Sequence, residues 1–160
     1  MLIEKRFLRY NKGTMNNVYT TISAEETRKL GHELAVQIIP GTLICLSGDL
    51  GAGKTTFTQG FLRGLGAEGP YISPTFVIMK QYDLGQPVNG IERIYHVDAY
   101  RVEMKDFEIL GFSEWCGDKK GIIILEWPER VSDILPEKRT EIVFKNVSED
   151  EREITITSFP

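Results

Sequence analysis

Gly48-Asp49-Leu50-Gly51-Ala52-Gly53-Lys54-Thr55 fits the pattern G-x-x-x-x-G-K-[ST], and its setting decides the fold. It follows the apolar run Leu43-Ile44-Cys45-Leu46 and precedes the helix-compatible stretch Thr56 to Leu65, so a strand feeds a glycine turn that opens a helix. Gly48, Gly51 and Gly53 let the backbone turn tightly and aim successive N–H groups inward, a nest for phosphate oxygens at the positive end of a helix. Lys54 can then reach the β- and γ-phosphates and the Thr55 hydroxyl can ligate magnesium. The competing reading is a glycine-rich turn with no ligand, and the flanking strand and helix weigh against it.

Outward from the loop, Ser23-Ala24-Glu25-Glu26 reads as a capping box. The Ser23 hydroxyl accepts from the Glu26 N–H and the Glu26 carboxylate returns to the Ser23 N–H, so a first helix begins near Ala24. Leu30, Leu34 and Ile38, with Thr27 and Gly31, supply its apolar face, and Pro40-Gly41 stops it. In the helix after the loop, Phe57, Phe61 and Leu65 recur every four residues as a core-facing stripe. Phe76 to Tyr82, the turn-rich Gly85 to Gly90 and Ile91 to Val97 predict a β-hairpin with a long loop. Residues 105–116 are helix-compatible, with Gly111 and Gly117 as breaks. Gly121-Ile122-Ile123-Ile124-Leu125-Glu126 has the pattern of a buried central strand closed by an acid, and the tail around Asn146 to Glu151 predicts a closing hairpin.

A triphosphate site needs a second magnesium anchor and a group that orients water, so acids ending apolar strands are the candidates. Glu126 follows Ile122-Ile123-Ile124-Leu125 in the manner of a Walker B strand, and Asp98 follows Ile94-Tyr95-His96-Val97. Ligands of α/β sheets bind beyond the carboxyl ends of the parallel strands, where both acids would lie. For each, the alternative is a surface acid or a structural salt bridge, and the residues alone do not rank the two as organiser of attacking water. Thr75 is either a switch threonine sensing the γ-phosphate through magnesium or a hydroxyl capping the turn that Pro74 stiffens. His96 reads as a strand residue oriented by a neighbour, because no second histidine or cysteine lies at ligand spacing. Trp115 and Trp127 read as packing residues, with the alternative that the tryptophan adjoining Glu126 fixes the acid's environment or marks a contact surface.

The chain has 160 residues, 41% hydrophobic and 26% charged, and reads as a single globular domain over residues 1–160 that needs no disulfide. A net charge of −4 argues against broad nucleic-acid binding. Cys45 and Cys116, with no C-x-x-C, point to a reducing compartment and no zinc site. No apolar run suits a signal peptide or a membrane span, so a cytoplasmic location without membrane contact is expected. Met15, after Asn11-Lys12-Gly13-Thr14, is a candidate alternative start, which would make residues 1–14 a dispensable extension.

Gly48 to Thr56, Ser73-Pro74-Thr75-Phe76, His96-Val97-Asp98-Ala99-Tyr100-Arg101 and Leu125-Glu126-Trp127-Pro128-Glu129, in that order and spacing, resemble the TsaE family. The resemblance runs from about Thr21 to Ile156. These are bacterial ATPases of tRNA threonylcarbamoyladenosine biosynthesis. The resemblance implies an α/β fold, a P-loop NTPase-like three-layer sandwich with a mixed central sheet. It implies binding of ATP with Mg2+ and hydrolysis in concert with the TsaB–TsaD pair, which transfers the threonylcarbamoyl group to adenosine 37 of tRNAs reading ANN codons. The chain would meet tRNA only indirectly, through that complex. By the same resemblance Gly51 to Thr56 hold the triphosphate, Lys54 contacts it, and Thr55 and Glu126 ligate magnesium. Asp98 and Thr75 act near the γ-phosphate, and Arg152 matches a family position near the nucleotide. A small-molecule P-loop kinase and a non-catalytic nucleotide-gated binding module are the alternatives, while a GTPase is disfavoured by the lack of Asn-Lys-x-Asp.

Overall fold

A computed structural model describes residues 4–9 and 15–159. The apolar alternation of the sequence becomes eight strands: β1 (Glu4–Arg9), β2 (Met15–Thr21), β3 (Leu43–Ser47), β4 (Met79–Val88), β5 (Ile91–Asp98), β6 (Gly121–Glu126), β7 (Thr140–Asn146) and β8 (Arg152–Ser158). They form one sheet in the order β1-β2-β8-β7-β3-β6-β5-β4. The central strands β5, β6, β3 and β7 run parallel, and the strands outside them pair antiparallel. The expected extension over 1–14 falls partly outside the described residues, and its described part, Glu4–Arg9, pairs with β2.

Because side chains alternate across a strand, the sheet has two apolar faces. Ile44, Leu46, Ile94, Ile122, Ile124 and Phe144 pack under α1 (Ala24–Ala35) and α2 (Lys54–Gly64). Cys45, Tyr95, Val97, Ile123 and Leu125 pack on the other side, with residues of α3 (Met104–Ile109), α4 (Phe112–Gly117) and a 3-10 helix over Pro128–Ile134. The result is the three-layer α/β arrangement with a mixed sheet that the family resemblance implied. All six residues of β6 are buried, as its unbroken isoleucine run requires. No helix among the described residues is long and apolar enough to cross a membrane.

Several local details differ from the sequence expectations. The Glu26 N–H donates to Ser23 Oγ at 3.1 Å, but the Glu26 carboxylate accepts from the Ile22 N–H at 2.9 Å, one residue upstream of the reciprocal bond of a capping box. The helix α1 stops at Ala35, before Pro40-Gly41, and the next residues turn through Gln37 N–H to Leu34 and Ile38 N–H to Ala35. Strand β4 starts at Met79 instead of Phe76, because the N–H groups of Val77 and Ile78 are spent on the Pro74 carbonyl at 3.0 and 2.6 Å. The β4–β5 hairpin has no long loop. Pairing continues past a bulge between Asp83 and Val88, and the chain reverses on Asn89-Gly90 with φ of 52° and 84°, the two left-handed residues a tight hairpin turn demands. Residues 105–116 split into α3 and α4 at Gly111.

The helices α1 and α2 touch backbone to backbone. A Cβ on Gly60 would sit 1.9 Å from the Arg28 carbonyl oxygen, and one on Gly31 would sit 2.2 Å from that of Phe57. Gly60→Ala is therefore expected to destabilise the fold by about 3 kcal/mol, since overpacking outweighs the ~1 kcal/mol gain in helix propensity. Denaturant unfolding measures it, and an unchanged midpoint would show that the helices separate at no cost.

On the far side of the sheet, Arg93 grips Asp118 through Nε at 2.7 Å and Nη2 at 3.0 Å, and the Tyr95 hydroxyl donates to the same carboxylate at 2.8 Å. The Arg93 hydrogen bonds hold the Asp118 carboxyl well below its usual range. This ion pair ties the end of α4 to β5, away from the parallel strand tips.

Candidate functional site

The strand β3 ends at Ser47, and the chain then turns through Gly48 to Gly53 before α2 begins at Lys54. Gly48 passes so close to β7 that a Cβ there would lie 2.5 Å from the Phe144 carbonyl oxygen. Gly53, at φ 108°, immediately precedes α2, and no side chain caps that helix. A left-handed residue at this point and an uncapped N-terminus aim the first amides of α2 toward the loop's hollow, where the helix dipole favours an anion.

Lys54 is 5% exposed. Its ammonium donates to the Gly48 carbonyl and to that of Asp49 at 3.0 Å, and lies 4.0 Å from the centroid of the Trp127 ring. Burial lowers its pKa below the ordinary lysine value, with Glu126 the foremost of the acids that oppose the shift.

The two candidate acids stand side by side at the tips of parallel strands. Asp98 of β5 and Glu126 of β6 are register partners, and both are almost wholly buried, at 3% and 2% exposure. Their surroundings differ. Asp98 Oδ2 accepts from Thr75 Oγ1 at 2.8 Å and Ser73 Oγ at 3.0 Å, and its Oδ1 accepts from the Tyr100 N–H at 2.9 Å. Glu126 Oε1 accepts from His96 Nε2 at 2.8 Å. Three donors thus hold Asp98, which in turn orients the hydroxyls of the Ser73-Pro74-Thr75 turn.

Trp127, the residue after Glu126, has φ 61° and ψ 50°, a conformation that a bulky side chain adopts only under constraint. Its N–H donates to the Leu46 carbonyl at 3.2 Å, and its ring lies 4.9 Å from that of Tyr100. The turn aims the indole over the Lys54 ammonium, a role beyond the packing expected of it.

These groups surround one cleft of about 480 Å³. Of the residues expected at the site, Gly51, Gly53, Lys54, Thr55, Thr56, Thr75, Asp98 and Glu126 all line it. Gly48 and Ala52 do not: Gly48 lies against β7, and Ala52 turns into the core at 1% exposure. Arg152 borders a separate recess of about 130 Å³ that shares Gly51, Gly53 and Thr56 with the cleft, and its guanidinium donates to the carbonyls of Ser148, Glu149 and Glu151 at 2.9 to 3.1 Å. Ser73, Tyr100 and Arg101 line the cleft without having been singled out as site residues. The hydroxyls two residues apart across Pro74 were the available signal for Ser73.

The donor set suits a phosphate chain with a hard cation. The left-handed Gly51 and Gly53, the uncapped α2 and a buried ammonium match phosphate oxygens. The Thr55 hydroxyl and the Glu126 carboxylate are hard oxygen ligands in the same cleft. Among the described residues no cluster of three or more His, Cys, Asp or Glu could by itself hold a metal. Magnesium takes one or two protein ligands and completes its shell with phosphates and water. Burial pushes the Cys45 thiol up to about 12 and that of Cys116 to about 11, and neither lines the cleft.

A family model described as threonylcarbamoyl adenosine biosynthesis protein TsaE matches residues 21–154. Among curated relatives, the tRNA threonylcarbamoyladenosine biosynthesis protein TsaE of Bacillus subtilis is 41% identical over 140 residues, covering 88% of this chain and 84% of the relative. The protein of the same name from Treponema pallidum is 35% identical over 135 residues, covering 84% of this chain and 95% of its own. The crystal structure of the Bacillus YdiB protein superimposes with a TM-score of 0.78 at 35% identity, covering 94% of this chain and 90% of that one.

Proposed function

The chain belongs to the TsaE family, and from that premise we propose that it binds ATP with magnesium in the cleft of residues 48–56 and hydrolyses it in the service of tRNA threonylcarbamoyladenosine formation. The involvement in that modification follows from the matched family and from the two TsaE relatives above, which carry it in their names. The ATPase step is supported by the geometry. The observation that carries it is the convergence of Lys54, Thr55, Asp98 and Glu126, drawn from three separate elements, on a single cleft at the tips of the parallel strands.

In this reading the loop amides and the Lys54 ammonium hold the triphosphate, and Lys54 leaves the Gly48 and Asp49 carbonyls to do so. The Thr55 hydroxyl and the Glu126 carboxylate would hold the magnesium, which would supply Lewis-acid polarisation of the phosphoryl oxygens. Asp98 keeps the Thr75 and Ser73 hydroxyls aimed beside the phosphate end of the cleft. Trp127 and Tyr100 wall the cleft and shield the ammonium from water, which strengthens its hold on phosphate.

Hydrolysis would then drive a cycle on the TsaB–TsaD pair, with tRNA engaged through that complex. A small-molecule kinase needs a lid over an acceptor pocket, and the β4–β5 hairpin turns on two residues, leaving no segment for one between these strands. Phosphate release from ATP, followed with the chain alone and then with TsaB, TsaD and tRNA, tests the proposal. Magnesium-dependent release that rises when the partners are added is expected. Absence of release in both mixtures would contradict it.

A further inference from the structure

Glu126 has a neighbour that the proposed reaction leaves without a task. His96 is 1% exposed and lies on β5 two residues before Asp98, on the same face of the sheet. In register it pairs with Ile124, so its ring reaches diagonally to the carboxylate one step further along β6. The contact is His96 Nε2 to Glu126 Oε1 at 2.8 Å. A carboxylate only accepts, so Nε2 carries the proton.

The other ring nitrogen is costly. Nδ1 is buried and has no hydrogen-bond partner among the described residues. An unpaired polar atom in a core costs stability that an apolar side chain of similar size would not, and such an exception calls for a reason. The bond to Glu126 is the return that the imidazole makes.

The contrast with Asp98 shows what the bond does. Both oxygens of Asp98 are engaged by Ser73, Thr75 and the Tyr100 amide. Glu126 has one oxygen tethered by His96, while its Oε2 has no donor among the described residues and the residue lines the cleft. We propose that His96 is the positioning residue of the site: its Nε2–H fixes Glu126 Oε1 against the sheet, so that Oε2 is the oxygen presented to the cleft. Glu126, and not Asp98, is then the acid with an uncommitted oxygen for a cation or a water. This rests on the ATP–magnesium reading above and assigns the roles within it.

His96→Leu fills the same space without the bond, and His96→Gln restores an N–H near the position of Nε2. Calorimetry of ATP binding with and without Mg2+, steady-state kinetics and thermal melting read out both variants. For His96→Leu the expected result is a folded protein whose ATP affinity in EDTA is unchanged, while the magnesium-dependent gain in affinity and kcat fall about 10- to 100-fold, the usual cost of losing the residue that orients a ligand. KM for ATP in the presence of magnesium rises in step with the lost gain in affinity, and His96→Gln recovers most of the loss. Wild-type magnesium dependence in His96→Leu, or equal impairment of both variants with unaltered melting, would overturn the proposal.

The 15N spectrum of the unsubstituted protein's imidazoles decides independently of the variants and of ATP. A protonated Nε2 with a bare Nδ1 at His96 is expected, and the opposite tautomer would overturn the proposal. A protein with the expected spectrum that binds no ATP would instead count against the nucleotide reading.

Discussion

Glu126→Gln is expected to lower ATP turnover about 100- to 1000-fold, the range seen when one charged or hydrogen-bonding group is withdrawn from a preorganised site. Glutamine keeps the volume of the side chain and an amide oxygen that can still accept from His96 Nε2, so the 2%-exposed position stays filled and the strand tip stays in place. What disappears is the negative charge beside Lys54 and the hard anionic ligand for magnesium. ATP affinity without magnesium should therefore survive, and the change should fall on kcat and on the magnesium requirement. Steady-state phosphate release with a parallel binding titration separates these effects. Undiminished turnover would take Glu126 out of the catalytic step, and full partner function in the variant would favour a nucleotide-gated module without catalysis.

Lys54→Ala acts at the other end of the site. A charge-assisted hydrogen bond from ammonium to phosphate is worth about 1.5–3 kcal/mol, so ATP affinity should fall about 10- to 100-fold. The substitution also removes the cation from the face of Trp127 and leaves the Gly48 and Asp49 carbonyls without their donor. Thermal melting alongside calorimetry separates lost binding from lost folding. ATP affinity equal to that of the unsubstituted protein would show that the ammonium does not meet the triphosphate.

How much of this was legible beforehand depended on whether the chemistry is local. The phosphate loop could be read because its glycines, Lys54 and Thr55 lie within eight residues and each type has a stereochemical reason to be there. Strand β6 could be read because an isoleucine run closed by Glu126 has few other uses. The hairpin signal of Asn89-Gly90 was present but hidden behind Gly85 and Pro87, which the strand absorbs in a bulge.

Other features depend on register or on approach distance, which no residue spacing reveals. The pairing of His96 with Glu126 crosses 30 positions and needs the β5–β6 register to be known. The same holds for Ser73 and Thr75 on Asp98 and for the close approach of Gly60 to Arg28. Ala52 stands within the motif but faces the core, because a loop that curls around phosphate must turn one side inward. The left-handed Trp127 follows from the need to leave β6 sharply while its N–H returns to Leu46.

Calorimetric titration of the unsubstituted protein with ATP and Mg2+, repeated with Lys54→Ala, bears most directly on the cleft as a triphosphate site. One saturable site per chain, tightened by magnesium and weakened at least tenfold by the substitution, is expected. No heat of binding at millimolar ATP, or binding indifferent to both magnesium and Lys54, would contradict it.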